Sequence, residues 1–170
     1  MSVLCPIDNP KDNNKLIICD SPLAKQAHQE LFRYSDDVYI TDKASAIFGA
    51  VSGVVESCNS GLTKTAKIHL VLNWQNLLQV SLWQPKKPET GDVFTILKNA
   101  GIGFKEIQPF KTSDINDMFP WLYYGKRFDI LRKLCHKGKK QVEDRLKNHS
   151  IRVDCHLIAE DTKKIVASSL

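Results

Sequence analysis

Residues 67–83, KIHLVLNWQNLLQVSLW, decide how the rest of the chain is read, because they hold its strongest strand signal. Ile68, Leu70 and Leu72 alternate along the chain, and Leu78, Val80 and Leu82 alternate again, which is the period of a sheet with one buried face. The polar interruption Asn73-Trp74-Gln75-Asn76 is expected to turn the chain, making the two halves a β-hairpin. A hairpin at this place makes the sheet antiparallel and leaves the flanking segments to pack on it as helices.

Working outward toward the N-terminus, residues 1–15 contain Pro6, Pro10 and the polar run Asp8 to Asn14, and read as a flexible arm. Residues 16–170 then form one domain, opening with the short apolar strand Leu16 to Cys19. Ser21-Pro22 is a helix start: the hydroxyl caps free N–H groups, and proline fits the first helical position. Leu23, Ala27, Leu31 and Tyr34 mark one face of a helix over 22–34, and Val38 to Ile40 follow as a small strand. Asp42 can cap a helix running to about Cys58, where Ala44, Ile47, Phe48, Val51, Val54 and Val55 are apolar on more than one side. Gly49 and Gly53 give the G-x-x-x-G spacing that admits close backbone approach, so Ile47, Phe48, Gly49 and Gly53 are the expected self-association surface of a homo-oligomer. The apolar stretch is too short to cross a bilayer, which needs about 20 residues.

Toward the C-terminus, Thr90 or Asp92 caps a helix that stops at Ala100-Gly101, and a strand is expected over 104–107. Asp114 caps a helix that bends near Pro120 and runs on through Trp121, Tyr124, Phe128, Leu131, Cys135 and Val142, with Gly138 ending its first half near Lys137. Ile151, Val153 and Cys155 alternate as a strand, paired with Ile165-Val166 across residues 160–163. The resulting class is α+β, a single compact domain with a small antiparallel sheet and packed helices.

The positive charge is local. Lys126, Arg127, Arg132, Lys133, Lys137, Lys139, Lys140, Arg145 and Lys147 stand against Asp129, Glu143 and Asp144, so residues 126–147 carry +6 while the whole chain carries +5. A basic helix on a nearly neutral body reads as a surface for an anionic membrane, for RNA or a nucleocapsid, or for an acidic protein. Lys126-Arg127 with Lys137-Gly138-Lys139-Lys140 also resemble a two-part nuclear import signal.

Five cysteines, odd in number and without a C-x-x-C pair, point to free thiols and an intracellular setting. Cys135-His136, His149 and Cys155-His156 have zinc-type donors, but the spacings are not those of a finger or ribbon. Nucleophile motifs, a P-loop and zinc-protease helices are missing, so no catalytic residue, metal or cofactor is assigned and the reading is of a non-enzymatic chain. The alternatives are a soluble RNA-binding module, with Trp74, Trp83, Trp121, Tyr123 and Tyr124 stacking on bases, and a cysteine/histidine enzyme assembled from distant residues.

The order of a polar arm, an alternating strand at 67–72, helices, the basic aromatic segment WLYYGKRFDILRKL and a final strand with its acidic turn, IRVDCHLIAEDTKK, resembles the matrix proteins of rhabdoviruses, the short plant-infecting ones most. The Pro-Pro-x-Tyr motif and the lysine-rich arm of the animal-virus members are absent. The resemblance implies a non-enzymatic matrix or assembly protein that self-associates, lies on the inner membrane leaflet and condenses a nucleocapsid, in the cytoplasm, at the membrane periphery and in virions.

Overall fold

The computed structural model describes residues 14–41 and 47–170. Strands β1 (Lys15–Cys19), β2 (Tyr39–Thr41), β3 (Lys67–Leu72), β4 (Arg152–Ala159) and β5 (Lys164–Ser168) form one sheet in the order β2-β1-β3-β4-β5. Three of its pairings, β1–β2, β1–β3 and β3–β4, are parallel, and β4–β5 is antiparallel. Parallel neighbours cannot be joined by a tight turn and need a crossover. Helices supply it: α1 (Pro22–Phe32) leads from β1 to β2, and α2 (Ile47–Asn59) lies between β2 and β3. Between β3 and β4 come α3 (Trp74–Leu82), α4 (Thr90–Ala100), α5 (Phe104–Ile107), α6 (Met118–Tyr124) and α7 (Phe128–Arg145). The domain is α+β as the sequence implied, but its sheet is mixed rather than antiparallel.

The difference starts at residue 73. Residues 74–82 are helix α3 and not the second arm of a hairpin. Asn73 caps it, its side-chain oxygen accepting from the Asn76 N–H at 2.9 Å. The buried Asp20 carboxylate, at the end of β1, holds the same corner by accepting from the Asn73 N–H at 2.6 Å and from Asn76 Nδ2 at 2.9 Å. Leu78 and Val80 alternate only because most of this helix is buried, Trp74, Leu77 and Ser81 included. Period two cannot be told from a helix buried on most sides.

Strands β1, β3 and β4 divide their side chains between two unequal layers. Ile18, Ile68, Leu70, Leu72, Val153, Cys155 and Leu157 face the main core, against residues of α2, α3, α4, α6 and α7. Ile17, Cys19, Val71 and Ile158 face a smaller layer built by Ala24 and Ala27 of α1 and by Val38. Ser21 caps α1 as expected, accepting from the Ala24 N–H at 3.1 Å with Pro22 in the first turn. The β4–β5 hairpin across residues 160–163 is also present.

Two further expectations are corrected. Residues 104–107 are a single helical turn, with the Gly103 carbonyl accepting from the Glu106 and Ile107 N–H groups; four residues are too few for alternation to discriminate. The basic segment breaks at Gly125-Lys126, where Lys126 has φ +58°, and not at Gly138. Helix α7 runs through Gly138 because that residue is buried at a close approach: a Cβ there meets Cys155 Sγ at 3.3 Å and Leu77 at 3.4 Å. Of the expected arm over residues 1–15, Lys15 already belongs to β1 and residues 1–13 lie outside the described residues, as does the helix start at Asp42 to Ala44.

Gly138→Val should therefore overpack the α7–β4–α3 contact and cost roughly 1–3 kcal/mol. Gly53, helical and exposed, has open space where a methyl group would stand and should respond in the opposite sense, Gly53→Ala adding about 0.5–1 kcal/mol. Urea denaturation midpoints of the two variants check both signs.

Candidate metal centre

The thin layer between α1 and the sheet carries three histidines. Ala24 and Ala27 keep α1 close to the strands, and His28, next on the same face, reaches down between them. His69 is in the middle of β3, in register with Ile17 of β1 and Asp154 of β4. His156 lies one pleat further along β4, opposite Val71 on one side and Ser168 on the other. All three are buried to within 1% of complete.

Their ring nitrogens converge. His28 Nε2 is 3.1 Å from His69 Nδ1, His69 Nδ1 is 2.9 Å from His156 Nε2, and one donor atom from each ring falls within 4.8 Å of the others. The outward nitrogens of two rings are held: His28 Nδ1 lies 2.7 Å from Tyr39 Oη and His156 Nδ1 lies 2.9 Å from Ser168 Oγ. His69 Nε2 is buried with no hydrogen-bond partner among the described residues. Phe32 stacks on His28 at 4.3 Å and lies 5.2 Å and 5.4 Å from the His69 and His156 rings, so an aromatic lid closes the group.

Burial is the main reason all three rings are held neutral. It pushes His28 down to about 2, aided by His69, His156 and Lys67. It takes His69 to about 3, aided by His156, Lys67 and Lys15. His156 falls to about 4, where Asp154 pulls the other way and Lys67 adds a small further depression. Neutral imidazoles offer lone pairs, which is the form that binds metal.

Sequence reasoning gathers a different set. Cys135 and Cys155 are buried in the main core, whereas His136 and His149 are exposed on the surface, and His156 leaves Cys155 for the opposite sheet face by strand alternation. The signal that separates the two sets is context: His28, His69 and His156 each interrupt an apolar face, and His136 and His149 sit in polar runs. The expectation of a non-enzymatic chain is corrected by this donor set, three histidines placed so that they could hold a metal ion. The four described cysteines, Cys19, Cys58, Cys135 and Cys155, are free.

The basic residues divide. Arg127 contacts Glu106 and Asp129, Lys133 donates to the Ala100 carbonyl, Lys139 pairs with Glu143, and Arg145 bonds Gln141 and stands over the Trp83 ring. Lys126, Arg132, Lys140 and Lys147 are exposed and Lys137 is half-buried. In the expected self-association set, Ile47 is a core residue, Phe48 packs on Trp83 at 5.0 Å, and Gly49 and Gly53 have open space beside them. No helix among the described residues is long and apolar enough to cross a membrane. A cleft of about 490 Å³ at the carboxyl ends of β3 and β4, lined by Asn73, Trp74, Phe119, Tyr124 and Glu160 among others, includes none of the three histidines. It brings no set of donors to one point, and the histidine centre does.

Acidification should destabilise the metal-free protein. With folded pKa values below the unfolded value of about 6.5, the histidines contribute their full stability above that pH and lose it as pH falls, because the unfolded chain takes up protons the folded one refuses. The slope is at most about 4 kcal/mol per pH unit for three protons. Denaturation midpoints at pH 7 and pH 5 should differ clearly; equal midpoints would count against the neutral, buried assignment.

No family model and no curated protein matches this chain. Among solved structures, the β-carbonic anhydrase isoform I of the protozoan Trichomonas vaginalis superposes with a TM-score of 0.43 at 14% identity, over 91% of this chain and 81% of that one. The resemblance to rhabdovirus matrix proteins is withdrawn: no family model and no curated protein of that kind matches, and the strand it relied on at 67–72 lies inside a parallel array rather than in a hairpin.

Proposed function

We propose that this chain is a metal-dependent protein whose centre is His28, His69 and His156, with zinc as the ion its donors suit best. Three imidazole nitrogens form a well-suited zinc set, and three protein ligands leave a fourth position for water or substrate, the arrangement of catalytic rather than structural zinc. An ion in that position supplies a Lewis acid and brings its bound water near pKa 7.

The observation that carries this reading is a mismatch in hydrogen bonding. A neutral imidazole has one N–H and one lone pair, so His69 Nδ1 is a donor or an acceptor, not both. Two rings nevertheless press on that one atom, at 3.1 Å and 2.9 Å. Either choice of proton leaves one of the two contacts without a full hydrogen bond, inside a layer where an unmet polar group costs about 1–3 kcal/mol. A cation accepts all three lone pairs and removes the conflict. Nitrogens about 2.0–2.1 Å from a tetrahedral ion stand roughly 3.3 Å apart, close to the two short separations.

The outer contacts agree. With Nε2 of His28 and of His156 turned to the ion, their Nδ1–H groups donate to Tyr39 Oη and Ser168 Oγ, the kind of support that fixes a ligand's tautomer and orientation. His69 would ligate through Nδ1 and carry its proton on Nε2, the atom without an acceptor among the described residues.

The metal-free protein should take up one zinc ion per chain in competition with a chromophoric chelator, and cobalt(II) should give the visible absorption of a nitrogen-ligated tetrahedral ion. His69→Ala should abolish uptake, and Tyr39→Phe should weaken it about 10- to 100-fold. Uptake that survives His69→Ala would sink the proposal.

A further inference from the structure

The start of the three central strands carries a row of cations. Lys15 of β1 is the register partner of Lys67 of β3, and Lys67 is the register partner of Arg152 of β4. Neighbouring strands are about 4.8 Å apart, so the three basic residues stand side by side. Each lies an even number of residues before Ile17, His69 or His156, which places all three on the sheet face of the histidine centre.

Like charges on directly adjacent strand positions repel. Asp154 offsets part of the row, at 3.1 Å from Lys67 Nζ, but Lys139 also approaches it at 4.0 Å. Lys67 therefore shares its carboxylate with a cation from outside the row. The row also borders the centre: Lys67 is two residues before His69, and Lys15 Nζ stands 4.1 Å over the Tyr34 ring, itself 5.9 Å from the ring of His69. Lys15 and Lys67 are half-buried and Arg152 is exposed, an arrangement that admits a small group rather than a broad surface.

We propose that the Lys15–Lys67–Arg152 row binds a small oxyanion, a phosphate or carboxylate group, at the edge of the histidine centre. The row gives the centre a substrate class, and in that respect it rests on the metal reading; its capacity to hold an anion does not. An oxyanion accepts from two ammonium groups and a guanidinium fork brought into register on neighbouring strands.

The test is calorimetric titration of inorganic phosphate at low salt, into metal-free protein and into zinc-loaded protein freed of excess zinc. Arg152→Gln and Lys15→Gln are titrated alongside, each also assayed for zinc stoichiometry. Binding by the wild type, weakened at least fivefold in both variants with zinc stoichiometry unchanged, is the expected result. Absent phosphate binding, or equal binding in all three proteins, overturns the row while zinc uptake still reports on the centre. Phosphate binding by a chain that takes up no zinc upholds the row as an anion site and overturns only the metal reading. Binding to vesicles of phosphatidylserine in phosphatidylcholine without any phosphate binding also overturns the proposal, since the row would then read a surface.

Discussion

Strand β3 is hydrogen-bonded along both edges to parallel partners and covered on both faces, and most of what is distinctive in this molecule follows from that double burial. Such a strand can keep a polar side chain only if the side chain is satisfied from within the protein. Ile68, Leu70 and Leu72 meet this without difficulty in the main core. His69 cannot, and its surroundings are arranged around it: small residues on α1 that let His28 approach, and a diagonal neighbour, His156, whose ring stacks on it at 5.2 Å and 10°. The same constraint excludes the hairpin. A strand flanked by parallel neighbours has to leave the sheet at its carboxyl end through a helix, and Asn73 and Asp20 together set the corner at which it does.

The two layers divide the work. The thick layer, with residues from six helices, is almost wholly apolar and supplies the burial that holds the sheet. The thin layer has one helix of its own and carries the buried histidines, the aromatic residues Phe32, Tyr34 and Tyr39 and the cation row. A fold can place unsatisfied lone pairs in a layer of this kind only when the other face already secures its stability, which is the usual relation between a scaffold and the site it carries.

Local signals were legible where a single interaction decides the outcome. The Ser21-Pro22 cap, the stop at Gly101 with φ +113°, and the β4–β5 hairpin all depend on residues adjacent in sequence. Residues 74–82 were not legible, because a helix buried on most of its sides shows the apolar density of a strand and its true period is lost. Gly138 misled for a related reason: its low helix propensity is real, but the close packing of α7 on Cys155 and Leu77 outweighs it. The candidate site was hidden by separation, His69 standing 41 positions after His28 and His156 another 87 positions on. Sequence proximity favoured Cys135-His136 and Cys155-His156, whereas the sheet register, which no local pattern reveals, unites His156 with residues far upstream.

Electrostatics ties the cation row to the centre. A divalent ion held by three neutral imidazoles is a buried charge of +2, and none of its ligands offsets it. Among the described residues Asp154 is a carboxylate near that face, engaged by Lys67 and approached by Lys139. The Lys67 ammonium, two residues before His69, repels such an ion, and its pairing with Asp154 offsets part of that repulsion. An anion beside the centre, either hydroxide in the fourth position or an oxyanion on the row, would stabilise an ion held there. The cations that look unfavourable for metal binding become favourable once that anion is present, so the centre and the row are more readily understood as two parts of one site than as separate features.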